Sequence, residues 1–92
     1  MKRKFKTGDI VQHFKREKMI SEQLEEEPNL YLYEIIGIAR HTETKEEVMA
    51  YKPLYSTECM NGVNFVVRPL EMFMSEVDHE KYPDISQKYR LN

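Results

Sequence analysis

Cysteine is nearly absent from this sequence and tryptophan wholly so; glycine and proline are sparse, with one Cys, three Gly and four Pro in 92 residues. A lone Cys59 excludes an internal disulfide and a cysteine-based zinc site, and it fits a reducing, cytoplasmic setting. Long apolar runs are missing as well, so no segment is expected to span a bilayer. The opening MKRKFKTGD has a basic head, but polar residues follow where a signal peptide would turn apolar. Repeats and low-complexity stretches are also lacking.

What is there reads as an ordinary globular chain, 40% hydrophobic and 33% charged. Its 92 residues allow one domain, spanning 1–92, with a single core and modest stability. The net charge of −2 is uneven: residues 1–18 sum to +5, residues 19–30 to −4 and residues 31–92 to −3. A basic head on an acidic body suits phosphates or an acidic partner, or it is simply a solvated arm.

Alternation of apolar and polar residues marks the strands. Gly8 to Lys15 opens on a Gly8-Asp9 turn signal and reads as a first strand. Arg16 to Pro28 is rich in helix formers, with Ile20 and Leu24 on one face, and reads as a short helix or an acidic loop inserted after that strand. Leu30 to His41 is the strongest strand, and Gly37 in its middle predicts a bend or bulge. Glu46 to Tyr55 returns as its hairpin partner, fraying at Pro53. After the Asn61-Gly62 turn, Phe65 to Val67 make a fourth strand, Pro69 to Met72 a helical turn, and Phe73 to Val77 a fifth strand. The tail, 78–92, holds Tyr82, Ile85, Tyr89 and Leu91, enough apolar area to dock. Five short strands in this order predict a mainly β fold, a small SH3-like barrel with its core at about 8–77, an insertion at about 16–28 and a docked tail.

Six residues are candidates for a binding site: Arg40, His41, Glu43, Tyr51, Tyr55 and Arg68. Arg40 and Glu46 or Glu47 face each other across the hairpin and could pair as a weak surface ion pair. His41 carries an imidazole, a side chain suited to act as base, ligand or cationic contact, with Glu43 placed to orient it, yet no nucleophile is tied to it by spacing, so no catalytic constellation is expected. Arg68 precedes a proline, which fixes its backbone as extended and aims its guanidinium at a carboxylate or phosphate; an internal ion pair with Glu34, Glu43 or Glu71 serves it equally. His13, His41, His79 and Cys59 have no chelating spacing, and neither a metal nor a cofactor is expected.

The runs Gly37-Ile38-Ala39-Arg40-His41, Glu43-Thr44, Tyr51, Leu54-Tyr55 and Val67-Arg68-Pro69-Leu70 resemble a bacterial family, DUF1653, over about His13 to Val77. The resemblance implies a small β domain and carries no assigned reaction. Two features depart from it: a longer connector between Lys15 and Asn29, and Lys45 where a turn glycine is usual.

Tyr31, Tyr33, Tyr51 and Tyr55 gather on the central strands beside Arg40 and Arg68. Such a Tyr/Arg surface suits an extended peptide or protein partner. A nucleic-acid accessory module, using the Lys2–Lys6 arm and base stacking, is the alternative; a small-molecule binder or enzyme built on Arg40, His41, Glu43 and Arg68 is the second. Partner identity and oligomeric state have no signal in the sequence.

Overall fold

The alternating run that begins at Leu30 forms the middle of a sheet. In the computed structural model, which describes residues 4–92 apart from the side chain of Cys59, the elements follow in order. They are β1 (Ile10–Gln12), a 3-10 turn (Phe14–Lys18), α1 (Ser21–Glu26), β2 (Leu32–Arg40), β3 (Glu47–Pro53), a second 3-10 turn (Glu58–Met60), β4 (Val66–Pro69) and α2 (Leu70–Phe73). All strand pairs are antiparallel, in the order β1-β2-β3-β4. The fold is mainly β, an open sheet of four strands. No described helix is long and apolar enough to cross a membrane.

Tyr33 pairs with Val11 and Pro53, and Ile35 pairs with Tyr51, which pairs with Val66. Paired residues share a face, so this register assembles one apolar surface. Val11, Tyr33, Ile35, Met49, Tyr51, Phe73 and Leu91 are its buried cluster. Gly37 marks the expected bulge: the pairing shifts between Ile35 and Gly37, and Gly37 has φ +154°, a conformation that costs glycine little. Thr7 Oγ1 donates to the Ile36 carbonyl at 2.8 Å, satisfying a group the bulge takes out of the ladder.

Two expectations are corrected. The 16–28 segment is no continuous helix but a 3-10 turn and a six-residue α1, and Ile20 between them is 60% exposed. With Ile20 off the core, only the half-buried Leu24 is left of the expected apolar face, and a helix this short has little intrinsic stability. The expected fifth strand, Phe73 to Val77, is not a strand. Phe73 closes α2, and the stretch after it makes only an isolated bridge, Glu76 to Tyr89.

The partner in that bridge is the tail. Val77 N–H donates to the Lys88 carbonyl at 2.8 Å and Arg90 N–H to that of Ser75 at 3.0 Å. On its other side the tail lies along β1: Asn92 and Gln12 exchange two backbone bonds of 3.0 Å, and Phe14 N–H donates to Arg90 at 2.9 Å. Gln87, 9% exposed, threads its side-chain amide onto the carbonyls of Gln12, Tyr89 and Arg90. The Glu17 carboxylate accepts from the backbone N–H groups of Ser86 and Gln87, both at 2.7 Å. The outer edge of β1 is thus covered by the chain itself.

Candidate functional site

The six sequence candidates separate into two groups. Arg40, His41 and Glu43 stay at the β2–β3 hairpin tip, all exposed. His41 Nδ1 accepts from the backbone N–H groups of Glu43 and Thr44, both at 3.2 Å, and its carbonyl accepts from Lys45 N–H at 2.9 Å. The imidazole therefore folds the turn. Lys45 holds the left-handed conformation expected of a glycine, φ +65°, and its Nζ reaches the Thr42 carbonyl at 2.7 Å. Arg40 donates to the Lys45 carbonyl at 3.0 Å rather than pairing with Glu46. The two cations at this tip, Arg40 and Lys45, are spent on the carbonyls of the turn itself.

Tyr51, Tyr55 and Arg68 belong to the second group, at one end of the core. Pro53 ends β3, but Leu54 N–H still donates to the Leu32 carbonyl at 2.9 Å, so Tyr55 is carried back beside β2. There the Tyr33 and Tyr55 hydroxyls meet at 2.8 Å. Tyr33 packs edge-on against Tyr51, with ring centroids 5.3 Å apart, and Tyr31 edge-on against Tyr55 at 6.0 Å. Burial first, then the Tyr55 hydroxyl, raises the Tyr33 phenol far above its usual range, so it stays neutral.

Tyr31 is held at φ +65°, an uncommon and costly state for a bulky side chain. Its carbonyl accepts from His13 N–H at 2.9 Å, and its ring lies 5.7 Å from that of His13. The strained backbone thus sets Tyr31 between His13 and Tyr55. His13 is half-buried, stacks on Phe14 at 4.5 Å and accepts from Lys15 N–H at Nδ1.

Arg68 sits over the Tyr51 ring, 5.9 Å from its centroid. The internal ion pair with Glu34, Glu43 or Glu71 is not formed: among the described residues one ion pair occurs, Lys88 with Glu76 at 3.9 Å on the surface. Arg68 is half-buried and rests on an aromatic face with no carboxylate beside it. In the register Arg40 pairs with Glu47 and Arg68 with Met49. The two guanidinium-bearing residues thus stand two strands and two rungs apart, roughly 12 Å between Cα atoms on ordinary sheet spacings.

Residues 9–90 match the family described as a protein of unknown function, DUF1653. The chain belongs to this family. The match reaches beyond the His13–Val77 stretch that carries the motifs and takes in most of the docked tail. No curated protein matches the chain, and no solved structure does. Among the described residues of this DUF1653 domain, no three His, Cys, Asp or Glu side chains gather as a metal-ligand set. Sequence reasoning missed His13 as a member of the aromatic cluster. The alternation of Val11 with His13, two residues apart on one face of the first extended run, was the available signal. It missed Glu17 and Gln87 as tail clamps altogether, because their partners lie some 70 residues away.

His13 gives this cluster a pH dependence. Burial, then the cations Lys15, Arg68 and Arg90, lower its pKa from 6.5 to about 4. Between those values the unfolded chain takes up a proton that the folded one refuses. Stability is therefore full above pH 6.5, falls as the pH drops through the window and levels off below about 4. Discounted for exposure, the expected loss is about 1–2 kcal/mol. Melting temperatures recorded across this range should fall on acidification, and His13→Asn, which keeps a capping acceptor, should flatten the profile.

Proposed function

We propose that this DUF1653 domain is a binding module for an extended peptide or protein segment, taken by the surface that the half-buried Tyr31, Tyr55 and Arg68 form over the buried Tyr33 and Tyr51. One observation carries this reading. Arg68 is half-withdrawn from water, laid on Tyr51 and left without a carboxylate, a state that an acidic group from a partner would complete. Tyr55 and Tyr31 add amphipathic area of the kind that protein-binding surfaces favour. The tail bonds to both Gln12 and the stretch after α2, a bridge between the two ends of the open sheet's chain path that supports an SH3-like architecture for the whole; the lone Cys59 fits a cytoplasmic setting.

The test is selection from a display library of random linear peptides. The expected result is a set of extended peptides sharing an acidic residue. Arg68→Gln should weaken their binding about tenfold or more, equivalent to roughly 1.4 kcal/mol, while the melting temperature stays within a few degrees. No enrichment, or equal binding by the variant, overturns the reading.

Nucleic acid is the second reading, favoured by the convergence of Lys15, Arg68 and Arg90 on His13. Failure to bind a mixed-sequence oligonucleotide at low salt removes it.

A further inference from the structure

The two edges of the sheet are treated differently. On β1, residues 90–92 of the chain's own tail supply a neighbouring extended segment. On β4, among the described residues, nothing pairs beyond β3: Val66, Val67 and Arg68 have no other backbone partner. In an antiparallel ladder alternate residues aim their N–H and C=O groups outward, so an outer β4 edge is a template for another strand.

Its surroundings are apolar. Val67 is 57% exposed, Phe65 47%, Val63 51% and, on α2, Met72 47%. Proteins commonly blunt an open edge with charge and shortness; here Pro69 and the four-residue length limit the contact, but large apolar side chains flank it. Val67 is directed to one face of the strand and Arg68 to the other.

We infer that the partner segment docks by adding as a strand to the outer edge of β4, with an acidic residue seated at Arg68 and apolar side chains against Phe65 and Val67. This rests on the peptide-binding reading above and specifies its geometry. A second copy of the chain is the competing occupant. Two-fold antiparallel pairing of β4 with itself would bring two Arg68 side chains opposite or diagonal to each other on one face, roughly 5–8 Å apart, with no carboxylate between them. An acidic strand meets the same cation with opposite charge, so the charge pattern selects it. Pro69, lacking an N–H, ends the ladder and holds the added strand to a few residues.

The probes are the peptides selected from the library, each made also with alternate residues N-methylated and with its acidic residue changed to the amide. Amide exchange is followed on the full chain by NMR. The expected result is at least tenfold slower exchange at the outward amides of β4 on binding, and loss of binding when the peptide N–H groups that would enter the ladder are methylated. Changing the acidic residue to its amide should cost the same factor as Arg68→Gln, with little further loss when both changes are combined. Peptides that bind while β4 exchange is unchanged, or that tolerate N-methylation throughout, overturn strand addition and leave the binding reading standing. If no peptide is selected, both fall. Sedimentation as a dimer, with β4 amides protected without peptide, overturns the proposal in favour of self-pairing.

Discussion

Removal of residues 86–92 is expected to abolish the cooperative thermal transition. Leu91, 1% exposed, is a member of the core cluster, and deleting a buried leucine side chain alone costs about 2–5 kcal/mol. The truncation also strips the outer edge of β1, uncovers Phe14 and Val77, and leaves Glu17 without its two backbone donors. A domain of this size has about 5–14 kcal/mol in total, so these losses consume most of it. Circular dichroism during heating measures the outcome. A truncated chain that still melts in one transition, close to the full-length temperature, would show the tail to be draped over the fold and not built into it. Glu17→Gln is the milder companion: the melt should stay cooperative but shift down. The bonds from Ser86 and Gln87 hold the Glu17 carboxyl below its usual value of 4.5. Its contribution is thus complete above that pH and lost as the pH falls below it, a component that the variant should erase.

The second large effect is expected at Phe73. It is fully buried, edge-on to Phe5 with centroids 5.9 Å apart and 5.4 Å from Tyr51. Phe73→Ala should cost about 3–5 kcal/mol, from lost transfer energy and the cavity left behind. Phe73→Leu, which keeps most of the volume, should cost less than about 1.5 kcal/mol. Chemical denaturation of the two variants separates the cases. A loss under 1 kcal/mol for the alanine form would mean that neighbouring side chains collapse into the space.

Leu32 to Ile36 alternates in burial and is legible by that period, whereas β3 is buried without a break from Val48 to Tyr51 and is legible as the apolar return of the hairpin; Gly37 announces the bulge between them. Pro69 ends β4 and opens α2, as its fixed φ demands. The helix expected within 16–28 is present but shortened to Ser21–Glu26: Ile20 finds no core and stands at the N-cap, its N–H donating to the Gln23 side chain at 3.0 Å. The fifth strand fails because closing the first edge of the sheet falls to a segment 75 residues from its partner, and pairing at that distance leaves no periodic trace. At the site, Tyr51, Tyr55 and Arg68 were legible as residue types on strands, whereas the φ of +65° at Tyr31 was not; only tertiary contacts impose it. His41 looked chemical because histidines at turns do, and two backbone N–H groups account for it.

The clamp between Gln12 and Gln87 has a consequence during synthesis. The two are separated by 75 positions, which at typical translation speeds of ~5–20 residues per second takes roughly 4–15 s. Once β4 is complete at Pro69, the 18 positions still to come before Gln87 leave the sheet with two bare flanks instead of one for roughly 1–4 s, and Val11 and Phe14 lack the cover that Leu91 and Arg90 later supply. Conditions that slow elongation prolong this exposure, and the newborn chain is then most prone to associate with its neighbours.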